Sequence, residues 1–505
     1  MPKSCESREK SAYSRYINKC LGFDADCRPY LPLDPYNEDL YDAIRQGLIP
    51  CKLVNNSFPE AIDERCIHKS LNITNITQRV ANLQLGVTAA LCNGCAIRSV
   101  QVEDLVSDTK EGKCNSLEFV YQVIINGYFR QINVYQHPEI CNLKFVGEDT
   151  RDIKCISPQE LLLRYVNVHL LHAGISKQIC SFEDLCDGIV YAYLLYHIAP
   201  MTLRSRLISP DQIISDADLS NRAKAVLQNL RELEADMFLC HADFMDSRTE
   251  LDLVTRLHLA TIAHLFCMFP GILVTMGNHS RSRLQEDIDH LVTRNFVNSF
   301  GVTPFSTHTC VNLRDGLLGC QLFEVLRPGS SIGLKFIREF DPERIESQYI
   351  HNNTNIVRLV QSYPLHLPHI DSERLSKTDE ACCMSLLLEI KRAYISNDHY
   401  DEAALLRWVN EQLHRAGRSV ELRSFSDRAI PEENLFAIVL NNLTNGMARK
   451  EMMTGKRTEN ARYYISIAHK AGYPVFTSPE HFASCNSKFV TLAFATLRSP
   501  IRVLH

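Results

Sequence analysis

One tryptophan, Trp408, serves a chain of 505 residues, and several familiar motifs are missing altogether. No P-loop, Rossmann glycine pattern, G-x-S-x-G or H-E-x-x-H sequence occurs, so the common nucleotide-binding, hydrolase and zinc-protease readings fall away and no enzyme is expected. No apolar run approaches the roughly 18 residues needed to span a bilayer. The N-terminus, Met1-Pro2-Lys3-Ser4-Cys5-Glu6, has no apolar signal core. A soluble, cytosolic protein without membrane insertion is expected. Charge of neither sign dominates: the net value of −5 argues against a general nucleic-acid binder. What remains is 45% hydrophobic and 22% charged, ordinary proportions for folded globular protein.

Nineteen cysteines are an odd number, scattered through apolar stretches. In a reducing compartment such cysteines are small core residues. Cys92-Asn93-Gly94-Cys95 is a lone C-x-x-C with no second pair at zinc-ribbon spacing. The vicinal Cys382-Cys383 is expected to be inert. His169 with His172, and His366 with His369, have helical His-x-x-His spacing but no carboxylate or cysteine partner at a metal-site spacing. No metal or other cofactor is expected.

Against this background one pattern repeats. Arg15-Tyr16-Ile17-Asn18 returns as Arg164-Tyr165-Val166-Asn167 and Arg407-Trp408-Val409-Asn410, with a looser copy at Asn295-Phe296-Val297-Asn298. The aromatic positions lie 149, 131 and 112 residues apart (165−16, 296−165, 408−296). Such gaps are too long for solenoid repeats and suit whole small domains. The aromatic reads as a core residue; the asparagine suits a bond to backbone, with no partner evident.

Each copy opens a similar run of helical signals. In the first module these are Ala12–Leu21, Asp39–Asn55, Ile76–Leu91 and a very apolar Ser116–Phe129, the last expected to be central. The second module has Pro158–His172, opened by a Ser157 cap and a first-turn proline, then Phe182–Ile198, Asn221–Leu233 and Leu257–Phe269. The third runs from Leu284 to Tyr394 and the fourth from Tyr400 to Leu497. Strand signals are few, so the fold class is all-α. Linkers at His137–Ile156, Gly271–Arg283 and Ser396–His399 pair the modules as one-two and three-four.

At this point the chain resembles the fimbrin (plastin) family, whose members carry four calponin-homology domains arranged as two tandem pairs. Cys51-Lys52-Leu53-Val54-Asn55, Pro59 to Arg65, Ser157 to Asn167, Leu313-Arg314-Asp315-Gly316-Leu317 with Asp187-Gly188, and Asn460 to Pro479-Glu480 carry the resemblance. It implies domains at 10–133, 157–271, 284–395 and 400–498. It also implies a monomeric protein that binds filamentous actin at two sites and bundles it. The departures are Tyr16, Tyr165 and Phe296 in place of tryptophan, and Gln46-Gly47 in place of Asp-Gly. No EF-hand loop precedes Lys10, so calcium-independent action is expected. The alternative is a calponin-homology scaffold with a non-actin cytoskeletal or signalling partner.

The resemblance further implies actin-facing segments at Glu9–Leu21, Leu117–Gln131 and Gln159–His172, then Leu284–Phe300, Ala381–Ile395 and Glu402–Arg415. Because actin filaments are acidic, the contact candidates on them are mostly basic: Lys10, Arg15, Lys19, Arg130, Arg164, Arg294, Arg392 and Arg407, with Ile17 and Tyr121 as apolar anchors.

Overall fold

A computed structural model describes residues 5–69, 75–145, 147–245, 251–272, 286–363, 365, 367–396 and 401–499. Its regular structure is entirely α- and 3₁₀-helix, with no strand among the described residues. The linker residues 273–285 and 397–400, and His366, lie outside that set.

Four helices recur per module. Opening helices are Cys5–Leu21, Pro158–His172, Ile288–Asn298 and Glu402–Arg415. Closing helices are Lys110–Gln131, Leu251–Met268, Glu380–Ser396 and Ser487–Arg498. The expected cap at Ser157 is present: its hydroxyl accepts the Glu160 N–H at 3.2 Å, with Pro158 in the first turn. The long second helices expected at Asp39–Asn55 and Phe182–Ile198 are each broken by a glycine. Gly47 (φ 77°) separates Asp39–Arg45 from Leu48–Ser57, and Gly188 (φ 74°) starts Ile189–Ile198. Gly316 (φ 76°) starts Leu317–Leu326 in the same way, and Asn434 (φ 55°) starts Leu435–Thr444. A left-handed residue at that point needs glycine or asparagine. The Asp-Gly elements are turn devices: Asp187 and Asp315 accept the Ile189 and Leu317 N–H groups at 2.9 and 2.8 Å.

The recurring asparagine now has a partner in every module. Asn18 accepts the Leu33 N–H at 2.7 Å and donates to the Leu33 carbonyl at 2.8 Å. Asn167 does the same with Ile179, Asn298 with Ser306 and Asn410 with Leu422, all at 2.8–3.0 Å. Each amide thus imitates one rung of a β-ladder, satisfying both backbone groups of an irregular turn that no helix could satisfy. A second set of clamps sits in the third helices, Ile76–Cys92, Leu219–Glu232, Ile345–Ser362 and Arg457–Lys470. There Asn82 clamps His68, Asn229 clamps Ile208, Asn352 clamps Ile337 and Asn460 clamps Thr454. Sequence reading missed that second set.

The repeat's most constant core residue is the aliphatic one. Ile17, Val166, Val297 and Val409 are all fully buried, whereas the aromatic is buried at Tyr16, Tyr165 and Phe296 but only half-buried at Trp408.

The compact units do not follow chain order. One comprises Met1–Ser57 with Asp104–Gln285; the other comprises Phe58–Glu103 with Glu286–His505. Within the first unit, the opening helix Cys5–Leu21 packs on Leu48–Ser57 and on both closing helices, Lys110–Gln131 and Leu251–Met268. Gly127 permits the close approach, since a Cβ there would meet Ser57 Cβ at 2.7 Å. Tyr16 stacks on Phe238 (5.4 Å, 25°), and the Arg8 guanidinium reaches Asp243 at 3.3 Å with both side chains buried.

Within the second unit, helix Ile76–Cys92 lies along Arg457–Lys470. Arg65 donates to the carbonyls of Met452 and Glu459, and Arg98 binds the Ser299 carbonyl and Tyr394 Oη while its guanidinium covers the Phe300 ring at 3.9 Å. Arg65 and Arg98 therefore fasten their own segment to the third and fourth modules, mainly through backbone carbonyls of those modules. Cys92 and Cys95 lie deep in this unit, where burial pushes both thiols far above their ordinary range, so neither is a thiolate at neutral pH.

Candidate functional site

A binding surface needs side chains that solvent can reach, and the ten candidates separate on that test. In the first unit Ile17 is fully buried and Tyr121 is 8% exposed, lying beneath the Arg256 guanidinium at 4.6 Å. Lys10 is buried, with Nζ 3.2 Å from Glu38. Arg164 is buried between Glu148 (2.6 Å) and Glu160 (3.0 Å), its guanidinium over the Phe145 ring. Arg15 is half-buried and donates to the Leu239 carbonyl at 3.3 Å. Lys19 is exposed, 3.7 Å from the Glu234 carboxylate, and Arg130 is partly exposed. In the second unit Arg294 is 3% exposed and paired with Glu286, Arg392 is partly exposed beside Glu389, and Arg407 is exposed, 3.9 Å from Asp401.

This placement revises the expected contact set. Lys10, Ile17, Tyr121, Arg164 and Arg294 face inward, each within its own unit. Charge suggested exposure, but each buried base has an acid within ion-pairing reach, which makes burial affordable. Lys19, Arg130, Arg392 and Arg407 keep surface access.

Three surfaces remain. On Glu402–Arg415 one face is open: Ala403, Arg407, Glu411, His414 and Arg415 are exposed, while Leu405, Val409 and Leu413 are buried. Along the closing helix Glu380–Ser396 runs a cleft of about 440 Å³, floored by Leu367, Ile370, Cys382 and Leu388 and rimmed by Arg374, Arg392 and Lys488, with Glu389 beside Arg392. Apolar floor and basic rim together suit an acidic segment that also presents an apolar side chain. In the first unit the turn-rich stretch after the opening helix exposes Phe23 (89%) and Tyr36 (76%), close in sequence to Lys19. Sequence reading missed both; their signal was a large aromatic beside Gly22-Asp24 and Pro35-Asn37, in turns rather than on a helix face.

The calponin homology (CH) domain profile matches residues 7–125, 156–270 and 400–500. Mouse plastin-1 is 30% identical over 516 residues, covering 98% of this chain and 80% of that protein. The chain belongs to the plastin family. Human plastin-3 is 28% identical over 516 residues, again across 98% of this chain and 80% of its own length. The solved actin-crosslinking core of Schizosaccharomyces pombe fimbrin superimposes with a TM-score of 0.79 at 23% identity, covering 98% of this chain and all of that one. The plastin-type repeat continues between the second and third profile matches: Gly316 and the Asn298 and Asn352 clamps stand where the other modules place theirs.

No helix among the described residues is long and apolar enough to cross a membrane.

Proposed function

We infer that this chain binds actin filaments through two tandem calponin-homology pairs and cross-links them. It acts as a monomer in the cytoplasmic cytoskeleton, by surface complementarity and without catalysis or a cofactor. The observation that carries this reading is the extent of the plastin relationship: it spans 98% of the chain, so it includes both pairs. Domains at 10–133, 157–271, 284–395 and 400–498 are proposed, the third resting on its clamps and on Gly316. Calcium-independent cross-linking belongs to the same proposal.

The contact surfaces are assigned to Lys19, Phe23, Tyr36 and Arg130 in the first unit, and to Arg374, Arg392, Arg407 and Lys488 in the second. Sedimentation with actin filaments at high speed tests the assignment. Lys19→Glu and Arg407→Glu each weaken binding by about three- to tenfold, more at low salt than at high, with helicity unchanged. Failure of the parent protein to pellet with actin would leave the non-actin partner as the reading.

A further inference from the structure

The vicinal cysteines expected to be inert have a neighbour that changes their chemistry. Cys310, in the short helix Thr309–Asn312, lies with its sulfur 3.9 Å from His290 Nδ1. The opposite nitrogen of that ring, Nε2, lies 2.9 Å from Glu380 Oε1. Cys383, 73 residues further along the chain, donates its thiol to the Cys310 carbonyl at 3.7 Å. Cys310 is 2% exposed and Cys383 has no exposure, while the His290 side chain is 16% accessible and Glu380 lies on the surface. The His308 ring stands 5.7 Å from that of His290, and Asp379 accepts the N–H groups of both Cys382 (side chain) and Cys383 (backbone carbonyl). A sulfur, an imidazole and a carboxylate in line, with a second thiol against the backbone of the first cysteine, is the arrangement of a resolving-cysteine pair.

We propose that Cys310 and Cys383 form a peroxide-sensitive thiol pair that closes to a disulfide within the third module. Cys383 and His290 hold the Cys310 thiol below its ordinary range, and Cys310 and Glu380 in turn hold the His290 imidazolium above its own. The Cys310 thiolate attacks the outer oxygen of hydrogen peroxide; the S–O bond forms as the O–O bond breaks, and the departing hydroxide takes a proton from His290 to leave as water. Sulfur is oxidised by two electrons and the peroxide reduced by two. The Cys383 sulfur then attacks the sulfenyl sulfur; the S–S bond forms as the S–O bond breaks, and the Cys383 proton leaves with the displaced hydroxide as a second water. The new bond ties the turn at 309–312 to the closing helix Glu380–Ser396, which borders the basic-rimmed cleft.

The test is to treat the full-length protein with hydrogen peroxide, quench with alkylating reagent and map peptides without reduction. A Cys310–Cys383 linkage is expected to form before the exposed Cys114 and Cys180 are modified, and to reverse with dithiothreitol. In Cys383→Ser, oxidation stops at a Cys310 sulfenic acid that a cyclic diketone captures. His290→Gln slows linkage by about tenfold. Glu380→Gln, a surface change that leaves the fold intact, slows it in the same direction. Oxidation of Cys114 and Cys180 with Cys310 still reduced would overturn the proposal, as would equal linkage rates in parent, His290→Gln and Glu380→Gln proteins.

Discussion

Replacing Lys391 with methionine abolishes a steep pH dependence in the stability of the second unit. Lys391 is fully buried, donates to the Phe476 carbonyl at 2.8 Å, and is enclosed by the rings of Phe296, Phe476 and Phe489 at 5.1–5.7 Å. Its titratable neighbours include the neutral Cys92 thiol, Asp289 and the His481 that is hydrogen-bonded to Asp289. Burial pushes the ammonium down from 10.5 to about 7. Between those limits the unfolded chain binds the proton and the folded chain does not, so raising the pH favours the fold. Below pH 7 both states are protonated and the full cost of the buried charge is present. Each pH unit in the window is worth about 1.4 kcal/mol, so from pH 7 to pH 10 the parent gains roughly 4 kcal/mol that Lys391→Met does not.

Denaturant unfolding of both proteins followed at Trp408 measures the difference directly, because the only tryptophan belongs to this unit. Tyrosine and cysteine titrations common to both proteins cancel. A parent-minus-variant difference that stays flat with pH would mean that the ammonium remains charged in the fold.

A second large effect is expected at the buried ion pair of the first unit. Asp243→Ala lowers its stability by about 3–5 kcal/mol, because it removes the buried carboxylate that faces the Arg8 guanidinium at 3.3 Å. The Cys240 N–H, which donates to Asp243 at 2.7 Å, is orphaned as well. Desolvation outweighs the pairing at Asp243, holding its carboxyl above the usual range. An apolar replacement of both partners should therefore cost far less: Arg8→Met with Asp243→Leu recovers most of the loss. Circular-dichroism melts of parent, single and double variants decide it; a single variant within 1 kcal/mol of the parent, judged by roughly unchanged melting, would contradict the account.

Much of this was legible in the residues and some was not. The aromatic-aliphatic-Asn repeat disclosed four helical modules because burial of Ile17, Val166, Val297 and Val409 leaves a periodic mark. Arg164 with Glu160 four residues before it carried a local hint of pairing. Lys10 with Glu38, 28 residues away, carried none, and so charge was read as exposure. The asparagine partners lie 8 to 15 residues on, in turns without periodicity, so only coordinates could supply them. Equally invisible was the placement of residues 58–103 in the second unit, which depends on Arg65, Asp63 and Cys66 meeting residues about 400 positions later. Local propensity makes helices; it says nothing about which unit a helix joins.

The central claim is bivalence: two filament-binding pairs in one chain. Low-speed centrifugation of actin filaments mixed with the full-length protein tests it most directly, because single filaments stay in the supernatant and bundles pellet. The account predicts that actin moves to the low-speed pellet as protein is added, with electron micrographs showing closely spaced parallel filaments. Co-pelleting only at high speed, with none at low speed at any ratio, would contradict it.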